Sequence, residues 1–490
     1  MNCVASVRFY VDKMLSETPG MKVLMVDAET IQMLSLVYSQ SQIMEKEVFL
    51  VERLGEEHER MTHLNAIVFV RPTAANLALL KKEVNEPKYG KYYMFFSNTL
   101  NQGHLAELAE ADEHEVVEQV QEYFADFFAV NRNLFHCGVS GMVRVSMLAS
   151  AADRTLRESA SIDRAVDGLV SVLLALKMRP VIRHCAHAPT GTPSLAAEFA
   201  NAVASRIKTE DEKGDFFQFR AKSGQPPPLL LVLNRRDDPV TPLLSQWTYQ
   251  AMVHELIGLD NNRVDMTRAP ECREDMQQVV LAQQDDDFYA EHMYDNFGDL
   301  GASVSGLLAT YQQRHQSTRQ IDSIQDMQRF VEHYPEFKKM SANVAKHIAI
   351  MTYLSHIVAQ RTLMPVSECE QEIACVDSLT EQRAAVLEML ANPSVRPIEK
   401  LKLSMLFALR YETHRSSREV RDSLTGAEDK DLVNLLLQWA GSAQRSGDVF
   451  RNKNKVSVRA CVWMMRTSPA AAHWPPSSSS TTTPLPHRRS

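Results

Sequence analysis

Apolar residues along the first 130 positions follow two rhythms. Val4, Val7, Val11 and Leu15 recur at spacings of three and four, which predicts an amphipathic helix over residues 1–18 ended by Pro19-Gly20. Short unbroken apolar runs then alternate with helical patterns. Met21–Asp27, Glu47–Val51, Asn65–Val70 and Tyr92–Phe96 read as strands, with Ile31–Tyr38 and Ala74–Val84 as helices among them. Leu105–Tyr123 reads as a further helix and Phe127–Val130 as a fifth strand. Strands covered on both faces are continuously apolar, and strand–helix alternation with short links marks a parallel, doubly wound sheet. Residues 1–130 are therefore expected to form an α/β domain.

A second α/β segment, residues 131–233, offers the helices Ile162–Lys177 and Ser194–Lys208 but only two strands, Pro180–Cys185 and Leu229–Leu233. Two strands are too few for a sheet of their own. From Leu243 to about Trp439 helical periodicity takes over and strand-length apolar runs disappear, so residues 234–450 are expected to be a large, mainly helical domain. Its candidate helices include Leu243–Ile257, Asp287–Leu308, Ile321–His333 and Glu336–Arg361. Proline lacks the N–H and clashes with the preceding turn at a cost of about 3 kcal/mol, so Pro335 is expected to split residues 321–361 into a helical hairpin. The fold class is α/β plus α. Residues 451–490, with runs of four Ser and three Thr and several prolines, read as a disordered, low-complexity tail.

Charge and cysteines narrow the function classes. The net charge is −8, and the tail carries seven Lys/Arg and no acid, leaving 46 basic against 61 acidic residues before it. An acidic body argues against a nucleic-acid binder, which needs a basic footprint. Seven scattered cysteines without a CxxC pair suit buried thiols in a reducing compartment better than a disulfide framework or a zinc site. Residues 1–15 hold charges where a secretory signal has an apolar core, and no run reaches the ~18 apolar residues of a spanning helix. The expected setting is cytoplasmic, with membranes reached through partners.

Catalytic motifs are missing. No GxGxxG follows a strand, and neither a P-loop nor HExxH occurs; Gly138–Gly141 is one residue too short for a GxSxG elbow. His184 and His187 point to opposite faces of a strand. Asp285–Asp287 reads as the acidic start of a helix before Phe288 rather than a cation site. No catalytic residue, metal or cofactor is expected, although a doubly wound sheet can host a site at its strand ends.

The most distinctive stretch is Pro228–Leu259, PLLLVLNRRDDPVTPLLSQWTYQAMVHELIGL. It reads as a strand, a charged turn and a helix start, with Asp238 or Thr241 as cap and Pro242 in the first turn. It resembles the signature of the SM (Sec/Munc) family, vacuolar-sorting branch. Leu108–Gln121, Asp287–Gly301 and Phe330–His347 extend the likeness, which covers roughly residues 1–450. Arg235, Asp238, Thr241, Pro242 and Trp247 keep the signature; Asn234 departs from it, standing where the family has Asp.

The resemblance implies an arch of three domains that clasps a syntaxin-family SNARE and the assembling SNARE bundle. By position, Leu105, Leu108, Val117 and Val120, with Glu122 at the rim, would form the pocket for a syntaxin N-terminal peptide. Pro335, Val344, Ile348 and Met351 would present SNARE contacts on the hairpin, and Lys46, Glu52 and Arg53 would face the central cavity. These positions also fit ordinary core stripes and solvated charges. The implied function is templating of membrane fusion in Golgi, endosome and vacuole or lysosome traffic. A scaffold for small GTPases or coat proteins, and an enzyme built on the sheet, are the rivals. Family members continue past the position of Phe450 and return strands to the second domain. Arg451 onward offers none, so that sheet is expected to keep open edges. The abrupt change in composition reads as a mis-spliced or frame-shifted end, with a truncated isoform or a genuine tail as alternatives.

Overall fold

The computed structural model describes residues 2–139, 151–185, 194–214, 216–219, 226–270, 272–319, 324–445 and 449–450. Its first element is the predicted amphipathic helix α1 (Cys3–Glu17), capped by Asn2, whose Oδ1 accepts from Ala5 N–H. The strands β1 (Lys22–Val26), β2 (Val48–Arg53), β3 (Met61–Val70), β4 (Tyr89–Phe96) and β5 (Val117–Glu122) form a fully parallel sheet in the order β2-β1-β3-β4-β5. Helices α2 (Thr30–Val37), α3 (Gln40–Met44), α4 (Ala74–Asn85) and α5 (Gln102–Ala111) link them.

Alternate side chains of this sheet enter two cores. Leu24, Val26, Ile67, Phe69 and Phe95 pack with α1 and α2 on one face. Val23, Met25, Ala66, Val68, Met94 and Phe96 pack with α4 and α5 on the other. Both faces are buried, which is why these strands read as unbroken apolar runs.

Two expectations fail here. The stretch 105–123 is not one helix. α5 stops at Ala111, because the Asp112 carboxylate accepts from Val116 and Val117 N–H and Glu115 takes a left-handed backbone, φ 53°. β5 follows as the fifth strand of the sheet. Phe127–Val130 supplies only the short β6 (Phe128–Ala129), paired antiparallel with β7 (Phe135–His136).

Helix α6 (Ala151–Ala175) is a shared wall. Val172 and Ala175 join the first core, while Val166, Val170 and Leu173 pack with α7 (Leu195–Gly214). An ion-pair network ties α6 to the carboxyl ends of the sheet strands. Arg71 reaches Glu29 and the buried Asp126 at 2.8 Å each, and Arg164 of α6 reaches Asp126 at 3.2 Å and Glu29 at 3.5 Å. Asp27 accepts from Arg71 N–H and Asn76 Nδ2. The second segment supplies β8 (Val181–His184) and β9 (Leu229–Val232), a two-stranded parallel sheet. His187 and residues 451–490 lie outside the described residues.

The remainder is mainly helical: α8 (Tyr249–Met252), α9 (Asp287–His292), α10 (Phe297–Arg319), α11 (Ile324–Gln360), α12 (Leu363–Cys375), α13 (Leu379–Ala391), α14 (Pro397–Arg410), α15 (Arg415–Asp422) and α16 (Ala427–Ala440). A small antiparallel pair, β10 (Arg263–Asp265) and β11 (Gln278–Val280), interrupts it against expectation. The stretch 287–308 is divided between α9 and α10. Pro335 does not split 321–361 as predicted: α11 runs through it for 37 residues. Proline removes one backbone hydrogen bond, and a helix of this length keeps its turns on either side.

Candidate functional site

The first predicted surface lies beside the edge strand β5. Leu105, one turn into α5, is 44% exposed, and Val120 on β5 is 36% exposed. Leu108 is buried in the sheet core and Val117 packs at that core's margin. Glu122 accepts from Leu100 N–H, which ties the loop before α5 to the end of β5. The structure thus leaves Leu105 on α5 and Val120 on the edge strand exposed and assigns Leu108 to packing. Val117, Val120 and Glu122 sit on a strand, not on the predicted helix.

The second surface lies on α11. Val344 is buried, whereas Ile348 and Met351 are half-buried and border the core of the helical half. Pro335 is a helix-interior residue.

The predicted cavity charges all have partners. Lys46 pairs with Asp12 at 3.2 Å and Arg53 with Glu56 at 3.9 Å. Glu52 accepts from the Tyr89 hydroxyl and lies 3.3 Å from His58. Burial, reinforced by Glu52, pushes the Tyr89 hydroxyl well above its ordinary range.

The signature segment is a joint built from local hydrogen bonds. Asn234 Oδ1 accepts from Arg236 N–H, taking the capping role at the position where it departs from the pattern. Asp238 Oδ1 accepts from Thr241 N–H at 3.0 Å, and Arg235 lies 3.5 Å from the Asp238 carboxylate. Burial opposes ionisation of Asp238, but the hydrogen bonds from Thr241 outweigh it and hold the carboxyl below its usual range. Pro242 sits in a single 3-10 turn, Thr241–Leu243, and not in a long helix. The chain stays extended until α8, because Ser245 is held by Glu370 and Trp247 Nε1 donates to Ser367 at 2.8 Å. Arg236 stacks over Trp439.

Sequence reasoning missed a buried cluster in the helical half. His347 is fully enclosed; its Nδ1 lies 2.8 Å from the Tyr249 hydroxyl and its Nε2 3.0 Å from Asp286. Lys346 also pairs with Asp286, whose Oδ1 caps α9 at Tyr289 N–H. The cap bears out the reading of the acidic run as a helix start. Burial lowers the His347 pKa, and since the Asp286 carboxylate can only accept, Nε2 is the ring's donor to it. Burial alone would raise the Asp286 carboxyl, yet the His347 hydrogen bond and the Lys346 charge hold it well below the carboxylate range. The only sequence signal was the cap; the partners sit about sixty residues away. Among the described residues no group of three or more His, Cys, Asp or Glu is placed to hold a metal ion.

Residues 22–459 match the Sec1 family model. The chain belongs to the Sec1 family. Among curated relatives, this Sec1-family chain is 42% identical over 467 residues to the vacuolar protein sorting-associated protein 45 homolog of Arabidopsis thaliana, covering 94% of this chain and 80% of that one. The corresponding Dictyostelium discoideum protein is 40% identical over 458 residues, with 93% and 78% covered. A solved structure described as SM protein Vps45 in complex with Qa SNARE Tlg2 superposes with a TM-score of 0.81 at 40% identity, covering 92% of this chain and 80% of that one. An Unc18–syntaxin 1 complex from Monosiga brevicollis, at 18% identity and a TM-score of 0.70, shares the fold.

Proposed function

We propose that this chain binds a syntaxin-class Qa-SNARE and promotes assembly of the SNARE bundle, and so regulates vesicle docking and fusion in Golgi, endosome and vacuole or lysosome transport. The observation that carries this reading is the likeness, over 92% of the chain, to a Vps45 bound to the Qa SNARE Tlg2. Its physical form is a template. Holding SNARE helices in register removes part of the ordering entropy that association otherwise costs. Leu105 and Val120 offer exposed apolar groups on α5 and on the edge strand β5, and Ile348 and Met351 offer a helix-in-groove contact on α11. The role is a binding role, with no catalytic step. No described helix is long and apolar enough to cross a membrane, and the proposed attachment is peripheral, through the SNARE.

Titration calorimetry of the full chain with a Tlg2-class Qa-SNARE N-terminal peptide tests this. Leu105→Arg is expected to weaken binding about tenfold or more, because a charge replaces a desolvated apolar anchor. Unmeasurable binding by the parent chain, or identical affinity of the variant, would overturn the reading.

A further inference from the structure

Four consecutive side chains, Gln283 to Asp286, reach in two directions. Gln283 Oε1 accepts from Arg132 N–H at 3.0 Å. Gln284 Nε2 donates to the Leu36 carbonyl at 3.0 Å. Asp285 Oδ1 accepts from Gln42 Nε2 at 3.4 Å. All three partners lie in or directly after the N-terminal domain. The fourth side chain, Asp286, turns to α11, where Lys346 and His347 hold it.

Each end of this strap is anchored more than once. The Leu36 carbonyl lies in the last turn of α2, where a helix leaves its carbonyls without internal partners. It accepts a second hydrogen bond, at 2.8 Å, from Asn262. Asn262 is buried and held in the left-handed region, φ 63°, which Asn tolerates better than most residues. Asn262 O in turn accepts from Leu281 N–H, just before the strap. Lys346 Nζ also donates to the Val280 carbonyl at 3.2 Å, so α11 holds the chain three residues ahead of the strap as well as at the strap's last residue. Lys346 and His347 lie within the turn of α11 that carries Val344 and Ile348.

We infer that residues 283–286 form a coupling strap, with Asp286 as its positioning residue, which makes the placement of α11 depend on that of the N-terminal domain. An axial shift or rotation of α11 moves the Asp286 carboxylate, and the three preceding residues cannot follow without breaking their bonds to α2, α3 or residue 132. Coupling of this kind is reciprocal: a ligand on either body changes affinity on the other by the same factor. This inference rests on the reading that both bodies contact one SNARE partner.

The test uses the full chain, the Tlg2-class N-terminal peptide and a separate fragment holding that SNARE's helical motif. In the parent, saturating peptide is expected to change fragment affinity by roughly fivefold or more, the ordinary range of allosteric coupling. Gln284→Leu and Lys346→Met are each expected to bring that factor to about one, with peptide affinity in isolation unchanged. Gln284→Leu removes one donor at a half-buried site and keeps the variant folded. A coupling factor that survives both variants overturns the strap. Hydrogen exchange without any partner separates the two readings. Lys346→Met is expected to speed exchange over residues 34–44, far along the chain from the mutation. If the fragment and peptide fail to bind, the functional reading falls and this exchange result alone decides: faster exchange upholds the strap, unchanged exchange removes it.

Discussion

β1 and β9 carry nearly the same string, KVLMV and LLLV, and meet opposite fates. Every residue of β1 is buried, whereas Leu229 and Leu231 of β9 are 64% and 56% exposed, and Leu233 just beyond is 77% exposed. The difference lies in their surroundings. β1 is an interior strand, between β2 and β3, of a five-stranded sheet with helices on both faces, while β9 pairs only with β8 among the described residues, with α7 on one face. An apolar run therefore states a demand for cover, and the rest of the fold decides whether the demand is met.

Three substitutions break or sharpen this contrast. The largest effect is expected from Phe95→Ala, fully buried between the covered sheet and α1, which should cost about 3–5 kcal/mol in denaturant unfolding because the cavity cannot refill. A value below 1 kcal/mol would show the sheet to be no better packed than β9. Next comes Arg71→Met, which leaves Asp126 and Glu29 short of one cation. Removing one partner of a buried pair costs about 3 kcal/mol, so melting should fall by several degrees while a surface pair such as Arg273–Asp275 contributes little. The smallest is Leu231→Thr on the open strand pair. Its stability is expected to stay within about 0.5 kcal/mol of the parent, with aggregation reduced as measured by light scattering. A large loss of stability there would mean that β9 is covered after all.

The same logic explains what could be read from the sequence. VLMV, AIVFV and YYMFF declared themselves because both of their faces are enclosed. Val117–Glu122 did not, since an edge strand with one open face takes Glu and Gln, and VEQVQE continues the helical spacing of α5. The turn that separates them depends on Asp112 reaching forward four and five residues, a cue that polar loops share widely. Pro335 misled for the opposite reason: its local preference is clear, but a 37-residue helix absorbs one missing bond. Of the candidate contacts, Leu105 and Val120 remain accessible, while Leu108 and Val344 are spent on packing. Helical spacing cannot separate those cases, because a stripe facing a partner and a stripe facing the core look alike. The Asp286 cluster was beyond reach, as its members come from three elements far apart in the chain.

Arg71 has a consequence of a different order. In a doubly wound sheet a small ligand ordinarily enters the crevice outside the strand ends where the order reverses, here between β1 and β3. That crevice is already tenanted by guanidinium groups locked to Asp126 and Glu29. A nucleotide entering it would have to strand a carboxylate away from water, a loss of several kcal/mol before any contact of its own forms. Where related architectures hold a ligand, this sheet spends its strand ends on fastening α6 to itself.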